Sequence, residues 1–174
     1  MSQAVLAGSA LEAGTWNVDP QASTVGFVAR GLFGLTPVRG TFAALRGVLE
    51  AGGDGARGTL ELDAASVDTA NARRDTHLRS AAFFDAEASP VVSFELTELA
   101  PDGEGTLRLS GVLGIRGGSL PVEAPVSVVP IDTGKLRLDT TFSVDRAAAG
   151  VGWGKFGMIR AKVQLTAAIV LIRD

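Results

Sequence analysis

The sequence predicts an all-β protein, an antiparallel barrel of roughly eight strands with one short helical crossover. Three observations carry that reading. Apolar and polar residues alternate with period two along most of the chain, the pattern of a half-buried strand. Glycine-rich turns, "AGGDGARG", "PDGEG", "RGGSLP" and "PIDTGK", separate the alternating runs at short spacing, which suits a sandwich or a barrel. The final run, 158–172, is long, and closure into a barrel hides the edges that so long a flat strand would expose.

Taken in order, "STVGFVAR" places Val25, Phe27 and Ala29 on one face. "VRGTFAA" sets Val38, Gly40 and Phe42 against Arg39 and Thr41, and "RGTLELDA" sets Leu60 and Leu62 against Thr59, Glu61 and Asp63. In "VVSFELTEL" the apolar face is Val92, Phe94 and Leu96; in "GTLRLSGVL" it includes Leu107 and Leu109. "KLRLDTTFSVD" points Leu136, Leu138, Thr140, Phe142 and Val144 inward, and the last run continues through Val163, Leu165, Ala167 and Ile169. Only Thr69–Ala82 breaks the alternation. Its Ala, Arg and Leu content predicts a short α- or 3₁₀-helix, capped by Asp68 or Thr69, crossing between two strands over one barrel mouth. With no internal repeat or linker, residues 15–174 read as one domain preceded by a tail, 1–14.

Composition narrows the function classes. The chain of 174 residues carries 16 basic and 19 acidic side chains, a net charge of −3, so it has no basic field for nucleic acid. It contains no cysteine and a single histidine, which removes disulfides, thiol nucleophiles, thiolate metal sites and zinc sites built on several imidazoles. No run is long and apolar enough for a spanning helix, and the N-terminus lacks the basic start of an export signal. The expectation is a soluble, cytoplasmic protein, or a periplasmic or secreted one if a signal has been trimmed.

The stretch "TANARRDTHLRSAAFFDAEASP", 69–90, holds the densest cluster of polar groups. His77 and Asp75 are two apart and do not face one another on a helix, and Ser66, Ser80 and Ser93 lie outside any G-x-S-x-G elbow. Asp63, Asp68, Asp75 and Asp85 lack the spacing of a calcium loop. No catalytic or metal role is assigned. Arg74 or Arg79 pairing with Asp75 or Asp85 explains the cluster better, as a clamp of Arg74, Asp75 and Asp85 on the crossover. For the interior, periodicity favours a packed core. Small residues spread along the strands, Gly26, Ala29, Gly40, Ala161 and Ala167, leave open the alternative of room for one ligand.

The blocks "TWNVDPQASTVGFVARGLFGLTPVRGTF", "ASVDTANARRDTHLRSAAFFDAEASPVVSF", "GVLGIRG…LPVEAPVSV" and "FSVDRAAAGVG" resemble the YceI-like family over nearly the whole chain. Asp68, Thr69, Asn71, Arg74, Asp75, His77, Leu78, Phe83, Phe84 and Asp85 match its most specific block, and Asp145, Arg146 and Gly150 a later one. The resemblance implies a lipocalin-like barrel that binds a polyisoprenoid, as polyprenyl alcohol or phosphate, or an isoprenoid quinone in an apolar cavity, without catalysis or a further cofactor; homodimers occur in the family. Where the family often has a histidine after the first long strand, this chain has Arg30. Under that reading Phe27, Phe42, Phe94, Phe142 and Val163 line the tail channel, Phe83 and Phe84 close one end, Arg30 meets the ligand's polar end, His77 is a further ligand contact, and Trp153 sits at the rim. The alternatives are an isomerase or hydrolase working through Asp75, His77 or Arg74 on a hydrophobic substrate, and a stress-related interaction protein with a filled core.

Overall fold

The computed structural model describes residues 11–31, 36–53, 55–103, 106–145 and 159–174. Among the described residues ten antiparallel strands form one sheet: β1 (Gly14–Val18), β2 (Thr24–Gly31), β3 (Thr36–Phe42), β4 (Ala44–Gly52), β5 (Gly55–Asp63), β6 (Val91–Pro101), β7 (Leu107–Ile115), β8 (Gly118–Asp132), β9 (Lys135–Asp145) and β10 (Ile159–Arg173). A 3₁₀ turn, Ala64–Ser66, and one helix, α1 (Ala72–Arg79), lie between β5 and β6.

The ten strands make a closed barrel of eight staves. β9 runs along one edge of β10, while the other edge is shared end to end by β2 and β1. The next stave is likewise split: β3 pairs with β2, and β4, one residue further on, pairs with β1. The remaining neighbours, from β4 to β10, are antiparallel pairs of strands consecutive in sequence, and the β1–β10 pairing closes the ring. Beyond the end of β5, the crossover takes its place beside β3. Thr41 bridges Asp68, and the Ala43 amide donates to Ser66 Oγ at 2.8 Å.

Alternation fixes the inner face as expected. Phe27, Leu165 and Phe142 stand in register across β2, β10 and β9, all pointing to the interior. Strands β1, β4 and β8 join the seven runs that alternation picked out. β8 was masked by Pro121, Pro125 and Pro130, since proline donates nothing to a ladder. Its register shows how they are tolerated. β8 pairs with β9 only from Val126–Thr140 to Asp132–Lys135, so Gly118–Pro125 have ladder partners from β7 alone. Pro121 and Pro125 fall in that stretch, and Pro130 adjoins a register shift.

The expected boundary at residue 15 falls inside β1, and Leu11 already packs on the core. Helix α1 is capped by Asn71, whose Oδ1 accepts from the Arg74 amide at 3.0 Å, rather than by Asp68 or Thr69. Those two residues are held in the bend before it: Asp68 Oδ1 accepts from the Ala70 amide, and Ala70 takes a φ of 60°.

Candidate functional site

The inward residues do not fill the barrel. They surround an apolar cavity of about 710 Å³ that reaches from β1, β4 and β10 to α1. The packed interior that periodicity favoured is therefore corrected. Alternation specifies which side chains face inward, but not whether opposite walls meet.

Phe27, Phe42, Phe83, Phe84, Phe94, Phe142, Val163 and His77 all line this cavity. Phe42 links two of its aromatic walls, with ring centroids 5.5 Å from Phe27 and 5.3 Å from Phe84, the latter edge-on. Two glycines hold the walls apart. A Cβ on Gly40 would collide with the Phe27 ring, and one on Gly111 with the Phe94 ring. Each ring can lie over bare backbone instead of standing into the lumen. The Arg30 side chain and Trp153, like Arg146 and Gly150, lie outside the described residues; the Arg30 backbone pairs with Pro37 in the β2–β3 ladder.

At the α1 end the lining turns polar, with Asn71, Arg73, Arg74 and His77. The hub there is Thr69. Its amide and hydroxyl both donate to Asp75 Oδ1, at 3.0 and 2.5 Å, within a buried environment. Arg74 completes the knot, donating from Nε to Thr69 Oγ1 at 2.8 Å and from Nη2 to the Thr69 carbonyl at 2.9 Å. The expected ion pairs of Arg74 or Arg79 with Asp75 or Asp85 are absent among the described residues. Arg79 donates to the Ala65 and Val67 carbonyls instead. Main-chain carbonyls left without a ladder in the crossover are nearer acceptors, and one acid serves by accepting from Thr69. Asp85 contributes through its backbone, at φ 49°, with its amide donating to the Ser80 carbonyl.

His77 is exposed on α1, its ring edge-on to Phe83 with centroids 5.2 Å apart. The Phe83 backbone has its own anchor, because Arg116 Nη1 in the β7–β8 turn donates to its carbonyl at 3.0 Å. The sequence marks Thr69 as a cap candidate and a match to the family block, not as the hub of this knot, and it assigns no site role to Arg73 or Arg116. Arg73 sits beside Arg74 in "NARRD", a repeated charge that was a usable signal; Arg116 lies 33 residues from its partner and gave none. Among the described residues no cluster of three or more His, Asp or Glu side chains is arranged to hold a metal ion. None of their helices is long and apolar enough to cross a membrane.

A closed antiparallel barrel with an apolar hollow and one polar mouth defines a cavity-bearing, lipocalin-like class of protein. The chain belongs to the YceI-like domain family, whose pattern matches residues 16–171. It is 41% identical over 64 residues to a UPF0312 protein of Ectopseudomonas mendocina (strain ymp), covering 37% of this chain and 34% of that one. A UPF0312 protein of Vibrio cholerae is 36% identical over 63 residues, 36% of this chain and 33% of its own length. The chain thus spans about a third of the length of these curated relatives. Among solved structures, Burkholderia cenocepacia BcnA superposes with a TM-score of 0.76 at 23% identity, over 88% of this chain and 98% of that one. A polyisoprenoid binding domain from Saccharophagus degradans, implicated in plant cell wall breakdown, gives 0.74 at 15% identity, over 91% and 98%. At such identities the likeness is one of fold.

Proposed function

We propose that the protein is a non-catalytic binding or carrier protein whose barrel holds a long apolar lipid, a polyisoprenoid or an isoprenoid quinone. The cavity carries this reading: about 710 Å³, walled by aliphatic and phenylalanine side chains, with polar groups gathered at the α1 mouth. That volume lies within the usual range for small-molecule sites. Left dry and vacant, apolar space on this scale would forfeit on the order of 10 kcal/mol of packing. A chain of methylenes recovers it.

Energetics favour a long chain. One five-carbon isoprene unit contributes at most about 4 kcal/mol on burial. Association itself costs about 4–15 kcal/mol, so several units are needed to reach micromolar affinity, near −8 kcal/mol. The polar groups at the mouth support binding better than turnover. Asp75 and Arg74 are tied to Thr69, and His77 packs on Phe83. Family membership and the polyisoprenoid binding domain among the structural neighbours point the same way.

Native mass spectrometry of the purified protein, followed by solvent extraction, tests the proposal. A stoichiometric isoprenoid, or saturable binding of an added polyprenyl compound with a raised Tm, is expected. A protein that yields no lipid and binds none would sink it.

A further inference from the structure

We propose that Arg116 is a latch that holds the crossover shut over the cavity, and so sets how fast the ligand enters and leaves. It is a positioning residue, acting through Phe83. This rests on the lipid-binding reading above and adds the control of its rates. Residues 71–89 form a strap whose inner side lines the cavity through Asn71, His77, Leu78, Phe83 and Phe84. Much of its hydrogen bonding is internal: the amides of Phe83 and Asp85 donate to Ser80, that of Phe84 to Leu78 and that of Ala86 to Arg79. Arg74, Asp75 and Arg79 tie it to Ala65, Val67 and Thr69, in the chain just before it. That stretch is bonded in turn to Thr41 and Ala43, at the end of β3. Arg116 holds the strap at another place, through the Phe83 carbonyl. Its β7–β8 turn is at the same end of the barrel, since Gly114 pairs with Ser93 near the start of β6. In ring order β5 and β6 lie between that turn and the stave of β3 and β4, so the strap is anchored on one flank and latched on another.

The backbone at Arg116 points to a use beyond the turn. Arg116 and Gly117 are the two-residue connection between β7 and β8, with φ of 52° and 75°. Hairpin turns with two positive φ values favour Asn-Gly or Gly-Gly, because an ordinary side chain crowds its own backbone there. Arginine at the first position is strained, and such strain collects at clamps and switches, where a side chain is needed for something else. The half-buried Arg116 meets that need at the Phe83 carbonyl. Among the described residues, the other non-glycine positions at positive φ are Ala70, just before α1, and Asp85, just after Phe84. All three therefore belong to the strap's ends or to its latch. Breaking the Arg116 bond opens no strand ladder, so it can limit exchange without limiting stability. The bond is made to the strap's own backbone and not to a ligand. It therefore stabilises the shut mouth whether the cavity is empty or filled, and its loss speeds entry and exit alike.

Arg116→Asn is the test, because asparagine suits the turn and is too short to replace the guanidinium at Phe83. With a fluorescent prenyl alcohol in stopped flow, association and dissociation should both quicken about tenfold, as suits loss of a hydrogen bond from a charged group. Kd should stay within about twofold, and Tm should equal or exceed that of the parent. A second measurement needs no lipid. The chain has no cysteine, so Leu138→Cys places a single thiol on the cavity wall. A maleimide should label it about tenfold faster when Arg116→Asn is added. Unchanged exchange and labelling rates overturn the latch and leave the lipid-binding reading standing. A weaker Kd with only dissociation quickened makes Arg116 a ligand contact, and a lowered Tm makes it a structural brace; either result overturns the latch. Faster labelling in a protein that binds no prenyl compound upholds the latch and removes the lipid-binding reading.

Discussion

Thr69 and Asp75 show how a polar cluster can resemble an active site while serving the fold. Asp75 is only 6% exposed, and its Oδ1 is the acceptor for both Thr69 donors. Replacing it with alanine leaves a buried amide and hydroxyl without that acceptor. Asp75→Ala is therefore expected to lower stability by about 2–4 kcal/mol, with Asp75→Asn between it and the parent. Urea unfolding checks this: the midpoint should fall with the slope unchanged, and a loss below about 0.5 kcal/mol would contradict the assignment. The importance of these residues was legible in the sequence, and their partners were not. Opposite charges at close spacing suggested ion pairs, yet a crossover outside the ladder exposes its own carbonyls, and these took Arg79 and part of Arg74.

At the scale of elements, what could be read depended on whether one rule governed a whole strand. β2, β9 and β10 alternate cleanly, and their inward faces are those read from the sequence. β4 shifts register between Ala44 and Arg46, which switches the parity of inward residues mid-strand, and β8 carries its three prolines. Both were missed for those reasons. The short ladder between β8 and β9 has a measurable effect. Thr141–Val144 have ladder partners from β10 alone, whereas Leu136–Thr140 are paired on both sides. Amide exchange should be about tenfold faster for the β8-facing amides of Thr141–Val144 than for those of Leu136–Thr140. Uniform protection along β9, measured by NMR, would show that the seam is closed in solution.

For the whole molecule, the barrel was legible and its hollowness was not, except through family resemblance. Period two places a side chain inward; cavity volume depends on how glycines such as Gly40 and Gly111 let rings lie back, a contact made across strands. Closure of the ring also has a kinetic side. The last stave contact joins Trp16 to Arg173, and Asn17 donates to Asp174 across 157 positions of sequence at 2.6 Å. The pairings from β4 to β10 join strands consecutive in sequence, but this junction must gather the two ends of the described chain, and its loop entropy is lost before any contact rewards it. The barrel should therefore acquire most of its β-structure first and shut late. With Trp153 changed to Phe, Trp16 becomes the sole indole reporter at that junction. On refolding, its fluorescence should settle in a slower phase than the far-ultraviolet signal, whereas one shared rate constant would mean that the circle closes as a single event.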